Sequence, residues 1–206
     1  MIKLFGHPGS TCTRNVLFTL NETSTPYEFV LVDIMKGEHK QPAHMARQPF
    51  GQLPAIEDDG FKLYESRAIA RYLDEKAGFK LTPKDAQQRA KMEQWISVET
   101  SDFSSPAMTF IYQGVFKRPQ TPEDLKKAAD KVELVSSIID KSLTESGKPF
   151  LVGDQFTIAD ISFAPYLEYS MLTDAKNIYS KYPQMSAWWN RVSERPTWQK
   201  IRTVGF

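Results

Sequence analysis

The sequence predicts an α+β domain with a mixed four-stranded sheet, followed by an all-α helical bundle. Two observations support the first part. Short runs rich in β-branched and aromatic residues are confined to the N-terminal part of the chain. Two of these runs flank the pair Asp59–Gly60, which is typical of a β-hairpin. The third observation concerns the remainder, from about residue 84, where apolar residues recur with a helical period and no strand pattern returns.

The N-terminal elements are predicted in the order βαβ, an irregular helical connection, and then ββα. Ser10 or a neighbouring threonine caps the first helix, and its position between two strands favours a parallel strand pair. The irregular connection covers residues 35–47, and the closing helix runs from Ser66 to about Lys76. The predicted strands are Ile2–Phe5, Tyr27–Val32, Pro54–Glu57 and Phe61–Tyr64. This is the order of a thioredoxin-like domain, and we expect it at residues 1–78.

A linker at residues 78–83 leads into the helical domain, expected at residues 84–206. The first long helix should be bent or interrupted near Pro106, because proline lacks the N–H that continues a helical ladder. Thr157–Asp160 matches the spacing of a capping box. The helix that follows it is apolar nearly all round, so we expect it at the centre of this domain. The other predicted helices cover about 84–113, 123–146 and 183–195, with Trp188, Trp189 and Trp198 packing against the last.

Composition excludes several classes of function. The 26 basic and 25 acidic residues give a net charge of +1, so the chain has no basic surface for nucleic acid or an anionic membrane. No apolar run approaches a membrane span, and the first residues lack a signal-peptide pattern, so we expect a cytoplasmic protein. Cys12 is the only cysteine, which excludes an internal disulfide and a thiolate metal cluster. The histidine spacing indicates no metal site.

Glu65 and Ser66 stand at the predicted start of a helix. A serine there offers its hydroxyl, its own N–H and the positive end of the helix dipole to a carboxylate. Glu65 can pair with an ammonium on the same carbon, so the two residues together suit the α-amino acid end of a ligand. Taken alone, Ser66 is more simply an ordinary helix cap.

Gln52, Leu53 and Pro54 form a second candidate segment. If the Leu53–Pro54 bond is cis, Leu53 turns its backbone groups outward, ready to pair with an extended peptide. Gln52 is placed to reach the backbone or a carboxylate of such a ligand, or it is a solvated loop residue. His39 and Lys40 can supply donors to a second carboxylate, although a solvated charged turn explains them equally well.

These segments resemble the glutathione S-transferase superfamily, and most closely its phi class. The resemblance is carried by Gly37–Lys40, Gln48–Ala55 and Glu65–Tyr72 across the N-terminal domain, with weaker support from Trp95–Glu99 and the capping box. It implies glutathione as co-substrate, no metal, and a glutathione site formed by His39, Lys40, Gln52, Leu53, Pro54, Glu65 and Ser66. It further implies a homodimer that conjugates glutathione to hydrophobic electrophiles in detoxification, and that can also reduce organic hydroperoxides.

The resemblance also implies a catalytic serine just after the first strand, and Ser10 is the matching residue. Its hydroxyl would hydrogen-bond the glutathione sulfur and favour the thiolate, while the thiolate itself is the nucleophile. Cys12 is the alternative if the loop register shifts by two residues, and the protein would then be a glutathione-dependent thiol-disulfide reductase. Otherwise Cys12 is a small buried helix residue.

The electrophile pocket is the part on which the sequence is least informative. Candidates for its apolar wall are Ile34, Met35, Phe103, Met108, Tyr112 and Phe116, although such a stripe on a helix is more often core. A non-catalytic carrier of apolar ligands with the same fold is a further alternative, because a fold does not determine a function.

Overall fold

The computed structural model of the chain describes residues 1–202, which form two compact units. The first unit consists of residues 1–82 together with the last helix, and the second of residues 83–195. Within the described part of the chain, no helix is long and apolar enough to cross a membrane.

A mixed four-stranded sheet forms the centre of the first unit. Its strands are β1 (Ile2–Gly6), β2 (Tyr27–Leu31), β3 (Ala55–Asp58) and β4 (Phe61–Tyr64), in the order β2-β1-β3-β4. β1 runs parallel to β2 and antiparallel to β3, and β3 is antiparallel to β4. The predicted parallel pair and hairpin are therefore confirmed. In the hairpin turn, Asp59 and Gly60 both have positive φ, 48° and 89°, as in a type I′ turn.

The helices of this unit are α1 (Thr11–Thr23), the short α2 (Pro42–Met45) and α3 (Ser66–Lys76), with a 3-10 turn at Glu38–Lys40. The irregular connection expected at residues 35–47 is thus the 3-10 turn followed by α2. Helices α1 and α3 pack on the sheet around Leu4, Leu20 and Ile56, none of which has measurable exposure. This core holds the starts of α1 and α3 against the strand ends.

The second unit consists of helices α4 to α9. They are α4 (Ala86–Val98), α5 (Ser104–Gly114), α6 (Pro122–Ser146), α7 (Ile158–Ser170), α8 (Lys176–Tyr179) and α9 (Pro183–Ser193). The interruption expected near Pro106 lies earlier, as a π-helical turn at Glu99–Phe103. The wider turn precedes the proline, which lacks the N–H that would bond back to Asp102.

Helix α7 is the centre of the second unit, as its apolar pattern indicates, and all of its 13 residues are buried. Both hydrogen bonds of the predicted capping box are present. The Asp160 carboxylate accepts from the Thr157 N–H at 2.8 Å and the Thr157 hydroxyl at 3.0 Å. It also accepts from the Leu151 N–H at 3.1 Å and Trp188 Nε1 at 2.8 Å. Burial raises the pKa of the Asp160 carboxyl, and these four donors oppose the rise.

The last helix, α10 (Pro196–Ile201), belongs to the first unit. Trp198 is fully buried, with its ring centroid 4.9 Å from that of Phe18 and the Arg14 guanidinium 4.7 Å from its ring centroid. The expectation that Trp198 packs with the final helix of the helical domain is therefore wrong. Pro196 begins a separate helix, because proline suits a first helical position.

A buried carboxylate joins the β-hairpin to α3. Asp58, at the end of β3, accepts hydrogen bonds from the Tyr72 hydroxyl at 2.6 Å and from the Lys76 ammonium, both on α3. The donors on Lys76 and Tyr72 lower the pKa of the Asp58 carboxyl. In return, Asp58 raises the pKa values of Lys76 and Tyr72.

We predict that Asp58→Asn makes the free energy of unfolding depend less steeply on pH in the acid range. Since the pKa of Asp58 is lower in the folded state, its ionisation stabilises the fold above the unfolded pKa, and this contribution is lost as the pH falls below about 4. Urea unfolding between pH 7 and pH 3 measures the effect. Asp59→Asn, at the exposed neighbouring position, is the matched control and should keep the wild-type slope. An Asp58→Asn curve parallel to the wild type would contradict the prediction.

Candidate glutathione site

Four segments of the first unit meet at one end of the sheet. Phe5 of β1 pairs with Ala55, the first residue of β3, and Ala55 pairs with Tyr64, the last residue of β4. Gly6 and Leu31, the last residues of β1 and β2, pair with each other. All predicted site residues lie in the segments that adjoin these strand ends: Ser10, His39, Lys40, Gln52, Leu53, Pro54, Glu65 and Ser66.

Ser10 is the N-cap of α1 and is half-buried. Its Oγ accepts a hydrogen bond from the Thr13 N–H at 3.3 Å, and its own N–H donates to the His7 carbonyl at 2.9 Å. Within residues 1–202, the hydroxyl hydrogen of Ser10 has no acceptor, so it can be donated to a ligand. The hydroxyl also lies at the positive end of the α1 dipole, which favours a negative charge beside it.

Cys12 is the second residue of α1 and is also half-buried, rather than the fully buried helix residue of the simplest expectation. Ser10 and Cys12, the two candidates for the catalytic residue, therefore occupy different positions relative to α1. Ser10 precedes the helix as its cap, whereas Cys12 lies within the first turn. The assignment of Ser10 as the catalytic residue stays a prediction.

The Leu53–Pro54 peptide bond is cis. The residue before it, Gln52, is held by both of its backbone groups: its carbonyl lies 2.7 Å from His44 Nε2, and its N–H donates to Gln48 Oε1 at 3.0 Å. Gln52 itself is exposed. His44 and Gln48 were not among the predicted site residues. Their spacing of four residues is the one sequence signal that links them, since the Gln48 N–H donates to the His44 carbonyl in a helical turn.

Lys40 is engaged with the same loop. Its ammonium donates to the Phe50 carbonyl at 3.0 Å, so it is not an isolated cation. Gly51 has φ +60°, and a Cβ there would lie 2.7 Å from Lys40 Cδ, so the lysine packs directly on the glycine. His39 is half-buried, and its Nδ1 has no hydrogen-bond partner in the described part of the chain.

Glu65 and Ser66 begin α3 in an unexpected way. Ser66 is the first helical residue, and Glu65 takes the cap position without a side-chain capping hydrogen bond. Glu65 has φ +71° and ψ 108°, a conformation that costs a non-glycine residue on the order of 1–3 kcal/mol. Ser66 is 3% exposed, and among residues 1–202 its hydroxyl has no hydrogen-bond partner. The Ser66 hydroxyl therefore lies at the positive end of α3, where an anion is favoured.

The apolar candidates in the helical unit behave differently from one another. Phe103 is fully buried, with its ring centroid 5.0 Å from that of Phe163, so it is core rather than pocket wall. Tyr112 and Phe116 are partly exposed, and their ring centroids lie 6.2 Å apart.

Comparison with known proteins identifies the family. Residues 1–75 match the glutathione S-transferase N-terminal domain, and residues 103–196 match the glutathione S-transferase C-terminal domain. Glutathione S-transferase F12 of Arabidopsis thaliana is 37% identical, over 99% of this chain and 98% of its own. A glutathione S-transferase of Silene vulgaris is 35% identical, over 97% of this chain and 95% of its own.

Solved structures agree with these sequence relatives. The crystal structure of glutathione transferase F2 from Populus trichocarpa superposes with a TM-score of 0.92 and 35% identity, covering 98% of this chain and 97% of that one. Glutathione S-transferase I from maize, in complex with an atrazine glutathione conjugate, gives a TM-score of 0.87 and 28% identity, covering 97% and 95%. The chain belongs to the glutathione S-transferase family, and these F-type plant relatives place it with the phi class.

Proposed function

We propose that this chain is a glutathione transferase that adds the glutathione thiolate to hydrophobic electrophiles. The observation that carries the proposal is the meeting of strand ends at one end of the sheet, because the segments that contain Ser10, Leu53 and Ser66 adjoin those strand ends. The comparison proteins support it, because one of them holds a glutathione conjugate.

The proposed binding mode assigns each end of glutathione to different groups. The α-carboxylate of its γ-glutamyl end binds the hydroxyl and the N–H of Ser66 at the start of α3, and Glu65 pairs with the adjacent ammonium. The peptide backbone of glutathione pairs with the backbone of Leu53, beside the Gln52 amide and Pro54. The terminal carboxylate takes donors from His39 and Lys40, the latter shared with the Phe50 carbonyl.

Ser10 acts on the sulfur. Its Oγ already accepts a hydrogen bond from Thr13, so its hydrogen is directed to the glutathione thiolate. A free thiol has a pKa of about 8.5, and one donor with the field of α1 can lower it by about one to two pH units. The thiol proton leaves to solvent. The sulfur then forms a C–S bond with the electrophilic carbon, and the leaving group departs with its bonding pair.

The wider role follows from the resemblance to the family. We propose a homodimer that works in the cytoplasm in detoxification, and that can use the same thiolate to reduce organic hydroperoxides. Neither activity needs a metal ion in this proposal, since the serine hydroxyl and the helix field stabilise the negative charge on sulfur.

Conjugation of glutathione to chlorodinitrobenzene tests the role of Ser10. We expect Ser10→Ala to lower turnover at neutral pH by about tenfold or more while glutathione still binds, because the bound thiol returns toward its ordinary pKa. Cys12→Ala should keep turnover within about twofold, since the serine mechanism does not use that thiol.

Loss of a helix cap must be separated from loss of the sulfur contact, because Ser10→Ala removes both. Thr121→Ala deletes the equivalent cap of α6 and should lower the melting temperature without lowering turnover. If Cys12→Ala is the variant that loses turnover, the hypothesis of a glutathione-dependent reductase replaces the serine mechanism. A wild-type protein that binds glutathione and conjugates no electrophile would favour the carrier.

A thermodynamic cycle tests the role of Glu65 by changing the Glu65 carboxylate in the protein and the ammonium group in glutathione. Glu65→Gln keeps the side-chain size and the positive-φ backbone and removes only the charge. We expect it to weaken glutathione binding by about tenfold, as for loss of a charge-assisted contact. Calorimetry with glutathione and with N-acetyl glutathione measures the coupling.

Acetylation should weaken binding to the wild type and have little effect on Glu65→Gln, because the ammonium has then lost its partner. Glu75→Gln, an exposed position on α3, is the control and should bind both ligands as the wild type does. An equal loss on acetylation in wild type and Glu65→Gln would show that Glu65 does not contact the ammonium.

A further inference from the structure

Two buried polar side chains direct their polar groups at one exposed residue. His44 is 3% exposed and Gln48 is 1% exposed, whereas Gln52, which they contact, is exposed. His44 Nε2 lies 2.7 Å from the Gln52 carbonyl oxygen, and Gln48 Oε1 accepts from the Gln52 N–H at 3.0 Å. The backbone of Gln52 is thus held at its donor and at its acceptor.

The tautomer of His44 follows from its partner. A carbonyl oxygen only accepts hydrogen bonds, so Nε2 must carry the hydrogen and donate it to Gln52. The other ring nitrogen, Nδ1, is buried and has no hydrogen-bond partner among residues 1–202. The contact to Gln52 is therefore the polar interaction that the imidazole makes in the described chain, in a place where an apolar ring would be buried at lower cost.

His44 and Gln48 also reinforce each other. The Gln48 N–H donates to the His44 carbonyl at 3.0 Å, and the Gly51 N–H donates to the Gln48 carbonyl at 3.0 Å. One short helical turn therefore supports the loop from residue 48 to residue 52. The next residue, Leu53, has the backbone groups that the proposed function pairs with glutathione.

We propose that His44, together with Gln48, is a positioning residue for glutathione. The two side chains set the direction of the Gln52 backbone and hence of the peptide groups that follow it. This inference rests on the proposed function and adds to it. His44 and Gln48 contribute to the affinity for glutathione and take no part in the chemistry at sulfur.

The test replaces the donor and then restores it. His44→Phe keeps a ring of similar size and removes the donor, whereas His44→Gln places an amide N–H at a similar reach. We expect His44→Phe to raise the KM for glutathione by about tenfold, since the Gln52 carbonyl loses its hydrogen-bond donor and the loop is no longer fixed in its orientation. The kcat at saturating glutathione and the KM for the electrophile should stay within about twofold, the sign of lost ground-state binding. His44→Gln should recover most of the affinity.

Gln48→Met provides an independent variant of the same pair, and it should also raise the KM for glutathione with little change in kcat. The matched control is Thr23→Val, which removes the hydrogen bonds of a different buried side chain of the same unit, among them the one from the Thr23 hydroxyl to the Thr19 carbonyl. It should lower the melting temperature and leave the KM for glutathione unchanged.

Three results would overturn the proposal. The first is wild-type affinity for glutathione in a folded His44→Phe variant. If that variant does not fold, wild-type affinity in a folded Gln48→Met variant has the same meaning. The second is a rise in KM for Thr23→Val as large as that for His44→Phe at the same loss of melting temperature. The third is a wild-type protein that does not bind glutathione, which overturns the proposed function as well; the first two leave that function standing.

Discussion

The backbone hydrogen bonds that β1 makes with its two neighbours are the constraint on which the site depends. β1 is parallel to β2 on one side and antiparallel to β3 on the other, so the ends of β1, β2 and β4 meet the beginning of β3. A slip of one residue in the pairing of β1 with β3 would turn either Leu4 or Ile56 out of the core. The register is therefore enforced by burial, and the burial of these apolar side chains places the polar segments that adjoin the strands.

The proposed site binds a charged ligand mostly with helix ends and backbone. Ser10 and Ser66 stand at the starts of α1 and α3, where each helix presents its positive end. This explains how a chain with a net charge of only +1 can hold a peptide with two carboxylates. It also gives a reason for the strained backbone at Glu65, because that residue leaves the first turn of α3 uncapped and turns its own carboxylate to the surface.

Local signals made much of this architecture predictable. The turn at Asp59–Gly60, the extent of α3 and the capping box at Thr157 depend on residues close in sequence, and all three agree with expectation. The packing of Trp198 on Phe18 was not predictable, since it joins parts of the chain far apart in sequence. The hydrogen bond between His44 and Gln52 was not predicted for a related reason. It depends on how the loop folds back after the helical turn, and the residue types alone do not indicate that. Helical periodicity also could not locate the π turn before Pro106.

The pKa of the thiol in bound glutathione tests the central claim most directly. The ultraviolet absorbance of the thiolate, followed against pH for glutathione bound to wild type, Ser10→Ala and Cys12→Ala, gives that value in each complex. We expect the thiol in the wild-type complex to ionise at least about one pH unit below the free value of about 8.5. The Cys12→Ala complex should match the wild type, and the Ser10→Ala complex should return toward the free value. The same thiol pKa in the wild-type and Ser10→Ala complexes would contradict it.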